Sequence, residues 1–262
     1  MKNLLDLAVR FAREAGDSTL RYFRSDDSMG LESKSDGSPV TLADRGAEEL
    51  LRRRIEEHRP DDGILGEEFG EKPGSNGHLW ILDPIDGTKS FVRGVPLYGT
   101  LVGVEIDGLM QVGVAYFPAL REMMFAAHGL GATWITDVGL ESEQSRPARV
   151  SGVESLDEAL FAYTSVGGFA RAGKLELFER VRSAARLDRG WCDCYGHMLV
   201  ATGRAEIMID PRMASWDCAA LQPIVEEAGG SFTALDGRPT HRGGSAVSTN
   251  AALAVSVARL LR

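Results

Sequence analysis

The sequence predicts an α/β protein in which helices pack against β-sheet. Three observations lead to this prediction. Two segments near the N-terminus carry apolar residues at helical spacing. Short apolar runs typical of strands fill the middle of the chain. In the second half, helical and strand patterns alternate, which favours helices layered on a sheet.

The first half is predicted to hold two helices followed by strands. Residues 1–16 have the spacing of an amphipathic helix, and residues 41–59 have that of a second helix, which Pro60 ends. Short apolar runs follow at 63–66 and 79–82, and each leads directly into carboxylates. A meander of strands with its turns is expected at 101–106, Asp107-Gly108, 112–117, Pro118 and 122–127.

A chain of 262 residues suits one large domain or two that are closely joined. Composition shifts at the polar stretch 137–147, which we interpret as the joint. We therefore predict an N-terminal α+β domain over 1–140, which carries most of the candidate metal ligands, and a C-terminal α/β domain over 141–262. The C-terminal domain is predicted to contain helices and a strand at 175–186, 195–202, 205–209 and 219–228.

Composition and charge narrow the classes of function. The hydrophobic share of 44% and the charged share of 26% are ordinary for a folded globular protein. The formal net charge of -9 argues against nucleic acid as a partner, because binding its backbone needs clustered lysines and arginines. The one dense basic run, Arg52-Arg53-Arg54, has glutamates around it, including Glu48, and is predicted to form a solvated helix face.

The sequence also indicates a protein without a membrane segment or a disulfide framework. No apolar run approaches the ~20 residues that span a bilayer, and the first segment does not resemble a signal peptide. The cysteines number three, which is odd. A zinc site at Cys192, Cys194, His197 and Cys218 fits the usual ligand spacing poorly, so we predict buried thiols instead. We expect a reduced, cytoplasmic protein that does not bind membranes.

Carboxylates stand at the ends of predicted strands and at the start of a predicted helix. These acids are Glu67, Glu68, Asp83, Asp86 and Asp217, the last directly after Trp216. Backbone direction at such positions can aim several side chains into one crevice. Carboxylate oxygens suit hard cations such as Mg²⁺, which usually keep waters and take substrate phosphate as a further ligand.

The segment from Asp83 to Thr88 is the most informative part of this set. Pro84 fixes φ and lacks an N–H, so we expect a sharp turn that lets both aspartates face one site and frees the Ile85 carbonyl. Gly87 and Thr88 then offer backbone amides for an anion and a hydroxyl for a water. A turn of this composition is common by itself. The metal-site interpretation therefore depends on its combination with the other acids.

These motifs resemble those of the inositol monophosphatase family. The matching segments are Gly66-Glu67-Glu68, 80–88, Trp216-Asp217 and Glu227-Ala228-Gly229-Gly230, and the resemblance covers nearly the whole chain in the expected order. It implies a layered αβαβα sandwich of the inositol monophosphatase and fructose bisphosphatase type. It also implies a homodimeric enzyme that uses two or three Mg²⁺ ions, with Mn²⁺ as a substitute, and that Li⁺ often inhibits.

The resemblance further implies roles for single residues. The metal ligands would be Glu67, Asp83, the Ile85 carbonyl, Asp86 and Asp217. Glu67 and Thr88 would position and activate the attacking water, with Glu68 nearby and Asp44 orienting Thr88; Lys34 falls on the matching loop. The substrate would contact Asp217 and the Gly87 and Thr88 amides. One ion would lower the pKa of its water, and another would stabilise the leaving alkoxide.

Three departures from the inositol-type pattern resemble the histidinol-phosphate phosphatase branch of the family. They lie at 89–96, at Asp193-Cys194-Tyr195-Gly196 and at Asp210-Pro211. Histidinol phosphate carries an ammonium and an imidazole, and a cation that leaves water needs a carboxylate partner. Asp193 and Asp210 are the candidates. The alternatives are a helix N-cap for Asp193 and a turn residue for Asp210.

The predicted function is Mg²⁺-dependent hydrolysis of L-histidinol phosphate to L-histidinol and phosphate in histidine biosynthesis, with a small molecule as the partner. A second hypothesis keeps the fold and changes the substrate to inositol monophosphate, or to a nucleotide such as 3′-phosphoadenosine 5′-phosphate. A third is a non-catalytic regulatory dimer. The presence of every expected ligand argues against the third.

Overall fold

The structure is a computed structural model that describes residues 1–25, 32–33, 39–191 and 193–262. Lys34 and Cys192 lie outside these residues. The helices are α1 Lys2–Thr19, α2 Leu42–His58, α3 Thr88–Phe91, α4 Val166–Arg171, α5 Leu175–Ala184, α6 Asp193–Ala201, α7 Ser215–Ala219, α8 Leu221–Glu227 and α9 Ala254–Leu260. The strands are β1 Glu32–Ser33, β2 Pro39–Val40, β3 Gly63–Gly66, β4 Gly70–Lys72, β5 His78–Asp86, β6 Gly99–Ile106, β7 Leu109–Phe117, β8 Glu122–Ala127, β9 Gly131–Thr136, β10 Gln144–Pro147, β11 Leu160–Tyr163, β12 Leu187–Arg189, β13 Ile207–Asp210, β14 Ser231–Thr233 and β15 Ala246–Thr249.

The strands form two large sheets and a small ladder. The larger sheet has the order β10-β9-β8-β7-β6-β5-β3-β4, in which β3 and β5 run parallel and the other neighbours antiparallel. The smaller sheet has the order β12-β11-β13-β15-β14, in which β11 runs parallel to both of its neighbours. The strands β1 and β2 pair only with each other.

The elements stack in five layers. Helices α1 and α2 bury Phe11 and Leu51 against one face of the larger sheet, where they meet Trp80. Helices α6, α7 and α8 fill the space between the two sheets, with Met198 in the shared apolar cluster. Helices α4, α5 and α9 pack around Phe161 on the outer face of the smaller sheet. The αβαβα arrangement implied by the sequence is confirmed.

The two N-terminal helices form where the apolar spacing predicts them. One face of α1 buries Ala8, Phe11 and Ala15, and the helix continues to Thr19, three residues beyond the predicted end. Thr41 caps α2: its hydroxyl accepts from the Ala43 amide, and the Asp44 carboxylate accepts from the Thr41 amide in return. None of the helices in the described part of the chain is both long enough and apolar enough to cross a membrane.

The prediction that the helix face around Arg52 is solvated is wrong for Glu48, which is buried. The Glu48 side chain is fully buried, on the same side of α2 as Leu51 and Ile55. Arg52 Nε donates to the Glu48 carboxylate at 2.8 Å, and the Arg52 side chain is only 16% exposed. A buried carboxylate is tolerated here because it is paired and hydrogen-bonded.

The larger sheet extends beyond the predicted meander. Two further strands, β9 and β10, lie outside the predicted meander. Strand β10 leaves no signal in the sequence, because it reads Gln-Ser-Arg-Pro, is exposed along its length and has no apolar alternation. The last strand of the larger sheet therefore ends at Pro147, which is also the end of the polar stretch. The apolar cluster around α8 contains residues from both halves of the chain. The division into 1–140 and 141–262 stays a prediction.

Candidate active site

A cavity of about 1050 Å³ lies where the carboxyl ends of β5 and β13 meet the first residues of α3, α6 and α7. Most of the predicted site residues line it. Those residues are Glu67, Asp83, Ile85, Asp86, Gly87, Thr88, Asp193, Asp210 and Asp217. Asp44 and Glu68 stand behind the lining: Asp44 is buried, and both lie near Glu67. The structure thus brings the predicted residues together.

The parallel pairing of β3 and β5 places Glu67 beside Asp83. Gly66 lies opposite Leu82 in the register, and the Glu67 amide donates to the Leu82 carbonyl at 3.2 Å. Both strands therefore run toward the same edge of the sheet, where Glu67 directly follows β3 and Asp83 lies within β5 as the residue after Leu82. Burial, with the neighbouring Glu67 charge, raises the pKa of Asp83 well above its usual range.

The expected sharp turn at Pro84 is wrong: the chain remains in strand β5 and forms a β-bulge. Asp83 pairs with Leu101 and Asp86 with Gly99, so three steps on β5 match two on β6. The Thr100 hydroxyl donates to the Pro84 carbonyl at 2.8 Å and holds the bulge. A missing N–H suits this position, because the bulge interrupts the ladder. The bulge, and not a turn, lets both aspartates face the cavity.

The third aspartate comes from the middle layer. Asp217 lies in the first turn of α7, and one of its oxygens accepts from the Ala214 amide at 2.7 Å, which fixes the side chain. Carboxylate oxygens of Asp83, Asp86 and Asp217 lie within 4.8 Å of one another. Such a cluster of acidic oxygens is the donor set that Mg²⁺ prefers, and Ile85 lines the same cavity.

Burial and mutual repulsion raise the pKa values of the three aspartates in the cluster. Burial and the adjacent Asp193 raise the pKa of Asp86, and burial raises the pKa of Asp217 to about 7. Like charges held together away from water disfavour ionisation. A divalent cation would favour the ionised form, so the electrostatics and the donor set fit a metal centre. The two cysteines that the structure describes, Cys194 and Cys218, are free, buried thiols, as predicted.

The raised pKa of Asp217 predicts a pH-dependent stability of the metal-free protein. Between the usual pKa of 3.8 and about 7, the folded state binds more protons than the unfolded chain. Asp217 therefore contributes to the free energy of unfolding fully below pH 3.8, and this contribution is lost as the pH rises through about 7. Asp217→Asn removes that loss and keeps an oxygen for the Ala214 amide.

We expect the Tm of metal-free Asp217→Asn, relative to the parent protein, to rise between about pH 5 and about pH 8. The rise should be at least about 2 °C, which corresponds to roughly 1 kcal/mol in a chain of this size. Thermal unfolding in chelator at both pH values measures it. A Tm difference that stays constant with pH would contradict the prediction.

Gly87 makes the transition from β5 to α3 in a left-handed conformation, with φ of 86°. A Cβ at this position would lie 3.0 Å from the Leu97 carbonyl oxygen and 3.2 Å from Asp193 Oδ2. Glycine is therefore required both by the backbone and by the space. The next residue, Thr88, begins α3, and its hydroxyl donates to the Ile85 carbonyl at 3.1 Å.

The two predicted specificity residues line the same cavity as the aspartate cluster. Asp193 is the first residue of α6, has φ of 50°, and its amide donates to the Thr164 hydroxyl at 2.9 Å. The following amide, of Cys194, donates to Asp86 at 2.6 Å, so the start of α6 is fixed against the cluster. Asp210 is the last residue of β13 and is only 6% exposed. It directly precedes the bend that begins at Pro211, so both its substrate role and its alternative role as a turn residue stay predictions.

Asp44 has partners other than the one predicted. Its carboxylate accepts from the Thr41 hydroxyl at 2.5 Å and from the Thr41 amide at 2.8 Å, whereas the Thr88 hydroxyl donates to Ile85. Burial, followed by the charges of Glu68 and Glu67, raises the pKa of Asp44 to about 6. The structure thus places Asp44 next to the glutamate pair. Its orientation of Thr88 stays a prediction.

Glu48 is a positioning residue that the sequence interpretation missed. Its carboxylate accepts from the Glu68 amide at 2.7 Å and from the Phe69 amide at 3.2 Å, so it holds the turn that follows β3 and presents Glu67. A side chain at Gly66 would collide with it. Helical spacing could have indicated that Glu48 is buried, because it lies one turn after Asp44 and one turn before Leu51, and both of these are buried.

The model of the inositol monophosphatase family matches residues 1–261 of this chain. The chain belongs to the inositol monophosphatase family. Its family relatives include a histidinol-phosphatase of Chlorobaculum parvum, 47% identical over 234 residues that make up 89% of this chain and 86% of that protein. A histidinol-phosphatase of Mycobacterium tuberculosis is 41% identical over 251 residues, or 95% of this chain and 94% of that one.

Solved structures agree with this membership in the inositol monophosphatase family. The crystal structure of the extragenic suppressor protein suhB from Bartonella henselae superposes with a TM-score of 0.89 at 26% sequence identity. The match covers 99% of this chain and 98% of the other. The layered family fold, expected from the motifs, is therefore confirmed over the whole length.

Proposed function

We propose that this protein is a metal-dependent phosphatase that hydrolyses L-histidinol phosphate to L-histidinol and inorganic phosphate. The observation that carries the proposal is the placement of Asp193 and Asp210 on the wall of the cavity that also holds Asp83, Asp86 and Asp217. A substrate with a phosphate at one end and cationic groups at the other matches this arrangement, with the phosphate at the cluster of three aspartates and the cations at Asp193 and Asp210. The two relatives described above, both histidinol-phosphatases, support the same substrate.

In this proposal Glu67, Asp83, the Ile85 carbonyl, Asp86 and Asp217 would hold Mg²⁺, and Mn²⁺ would be able to substitute for it. When bound, such ions supply a water of lowered pKa and neutralise charge on the phosphoryl group and on the leaving oxygen. The protein fixes its own donors beforehand, because backbone amides hold Asp86 and Asp217 in place. That preorganisation is where most of the rate of phosphoryl transfer arises.

The remaining groups position the two reactants. Glu67 and Thr88 hold the attacking water, and Glu68 and Asp44 stand behind Glu67. The first amides of a helix have no partner within it, so the amides of Gly87 and Thr88 at the start of α3 take phosphate oxygens. Asp193 and Asp210 take the ammonium and imidazole of the alcohol, because a charge-assisted hydrogen bond compensates a cation for its lost water.

We further propose that the enzyme acts in histidine biosynthesis as a cytoplasmic homodimer. The resemblance to the inositol monophosphatase family supports the dimer, and the substrate supports the pathway. Light scattering on the eluting peak of a gel-filtration column measures the mass directly. A monomeric mass at micromolar concentration would contradict the dimer and leave the proposed reaction unaffected.

Parallel turnover tests the substrate. We expect kcat/KM for L-histidinol phosphate to exceed that for inositol monophosphate and for 3′-phosphoadenosine 5′-phosphate by more than about tenfold, because neither competitor offers a cation to the two aspartates. The measurement is phosphate release at matched Mg²⁺. A preference below about tenfold would count against the proposal.

Asparagine variants test the two aspartates within the same assay. Asp193→Asn and Asp210→Asn should each raise KM for histidinol phosphate by about tenfold, the loss expected for one hydrogen bond to a charged group. Asp236→Asn is the matched control, because this exposed acid pairs with Arg238 and does not line the cavity. If the cavity variants behave like the control, the cationic subsite is assigned wrongly.

A further inference from the structure

His197 lies in the middle layer and has no place in the chemistry described so far. It stands one helical turn after Asp193 on α6, and it is fully buried. Its Nδ1 lies 2.7 Å from the Ser248 hydroxyl, and its Nε2 lies 3.4 Å from Asp210 Oδ2. The ring also packs near Phe232, with 6.1 Å between ring centroids.

The neighbours of the ring determine where its proton lies. With a lone pair on Nε2, two electron-rich groups would lie 3.4 Å apart in a buried setting, which is unfavourable. A proton on Nε2 turns the contact into an attraction, and the neutral ring can then accept at Nδ1 from the Ser248 hydroxyl. Nε2 makes no hydrogen bond among the described residues, and its one ion-pair contact there is with Asp210 Oδ2.

Asp210 depends on this contact. It is nearly buried at the end of β13, and among the hydrogen bonds and ion pairs of the described residues the His197 ring supplies its one partner. Ser248 lies on β15, which pairs with β13 so that Met208 faces Ser248 and Asp210 faces Ala246. The His197 ring therefore contacts both β13 and β15, and it approaches the Asp210 carboxylate from the side away from the cavity.

We propose that His197 is a positioning residue for specificity: it orients the Asp210 carboxylate toward the cavity, where that carboxylate takes the cationic part of the substrate. This inference rests on the proposed function. It gives α6 two tasks, because the same helix begins with Asp193 and, one turn later, holds Asp210 in place through His197. The residue acts on recognition of the alcohol and not on the bond that is broken.

Kinetics on two substrates test the inference. The probes are L-histidinol phosphate and glycerol 2-phosphate, a phosphomonoester without a cation, and the readout is the ratio of their kcat/KM values. His197→Phe, which keeps a ring and loses the N–H, should lower that ratio by about tenfold, mainly through KM for histidinol phosphate. His197→Gln retains a donor and should stay within about threefold of the parent protein.

A double-mutant cycle separates positioning from general damage. Because His197 acts through Asp210, His197→Phe should add nothing to the loss already caused by Asp210→Asn. His241→Phe is the matched control: His241 is also buried beside a carboxylate, 3.3 Å from Glu105, but Glu105, unlike Asp210, does not line the cavity. It should leave the ratio unchanged.

Equal losses on both substrates, or additive losses in the double variant, would overturn the inference. If Asp210→Asn lowers the ratio and His197→Phe does not, the inference fails and the proposed function stands. If Asp210→Asn itself has no effect, the cationic subsite of the proposed function fails. Should His197→Phe not fold, Ser248→Ala keeps the ring and loosens it. An unchanged ratio in that variant overturns the inference, and a fall of about threefold supports it.

Discussion

Asp86→Asn is expected to lower Mg²⁺-dependent turnover by about 10³-fold or more. A metal that polarises a phosphoryl oxygen supplies several kcal/mol of transition-state stabilisation, and each 1.36 kcal/mol corresponds to a factor of ten in rate. Asp86 has carboxylate oxygens of Asp83 and Asp217 within 4.8 Å, so an amide in its place removes charge from the centre of the cluster. Steady-state phosphate release over a Mg²⁺ titration measures the effect.

The variant should fold normally, because asparagine keeps an oxygen for the Cys194 amide, which donates to Asp86 at 2.6 Å. Its metal-free Tm should equal or exceed that of the parent protein, since burial and repulsion raise the pKa of Asp86 and its loss relieves that repulsion. Turnover close to the parent level, in a folded variant, would contradict the assignment of Asp86 as a metal ligand.

Gly87→Ala is expected to lower kcat/KM by about 10²-fold. A left-handed conformation costs an L-residue roughly 1–2 kcal/mol. The new Cβ would also meet the Leu97 carbonyl at 3.0 Å and the Asp193 carboxylate at 3.2 Å, so the chain must shift where strand β5 becomes helix α3. A displacement of about 1 Å in a site that positions its substrate costs on the order of 10²-fold in rate.

Gly237→Ala is the matched control for this substitution. Gly237 has nearly the same φ, 85°, but nothing lies within 4 Å of its would-be Cβ. Both variants should lose the stability that a left-handed conformation costs, Gly87→Ala should lose more because of its contacts, and Gly237→Ala should retain the parent activity. An active Gly87→Ala, or equal losses of activity in the two variants, would show that the backbone at Gly87 does not position the substrate.

Much of the fold and the site could be predicted because the signals were local. Apolar spacing predicted α1 and α2, and acids at strand ends predicted which side chains meet. The bulge at Pro84 could not be predicted, since a proline between two aspartates suits a turn as well as a bulge. Which of the two forms is decided by the partner strand β6, and no local pattern records that pairing.

Burial of charged groups was the other limit. Glu48 and Arg52 have the spacing of an exposed ion pair. Glu48 is buried instead, because its carboxylate accepts from backbone amides after β3, which lie far from it in the sequence. The contact between His197 and Asp210 joins a helix to a strand that follows it in the chain, and Ser248 comes from a third element. Such contacts depend on tertiary packing and leave no periodic trace in the sequence.

The position of α6 between the two sheets suggests how this scaffold can acquire new substrates. Asp83 and Asp86 lie on β5, Glu67 directly follows β3 and Asp217 lies on α7, whereas the proposed selection of the alcohol depends on α6 and the end of β13. Evolution, or an engineer, can therefore exchange residues 193, 197 and 210 as a set and retain the machinery that cleaves the ester. A small change of sequence would then redirect the enzyme to another alcohol at little risk to its reactivity.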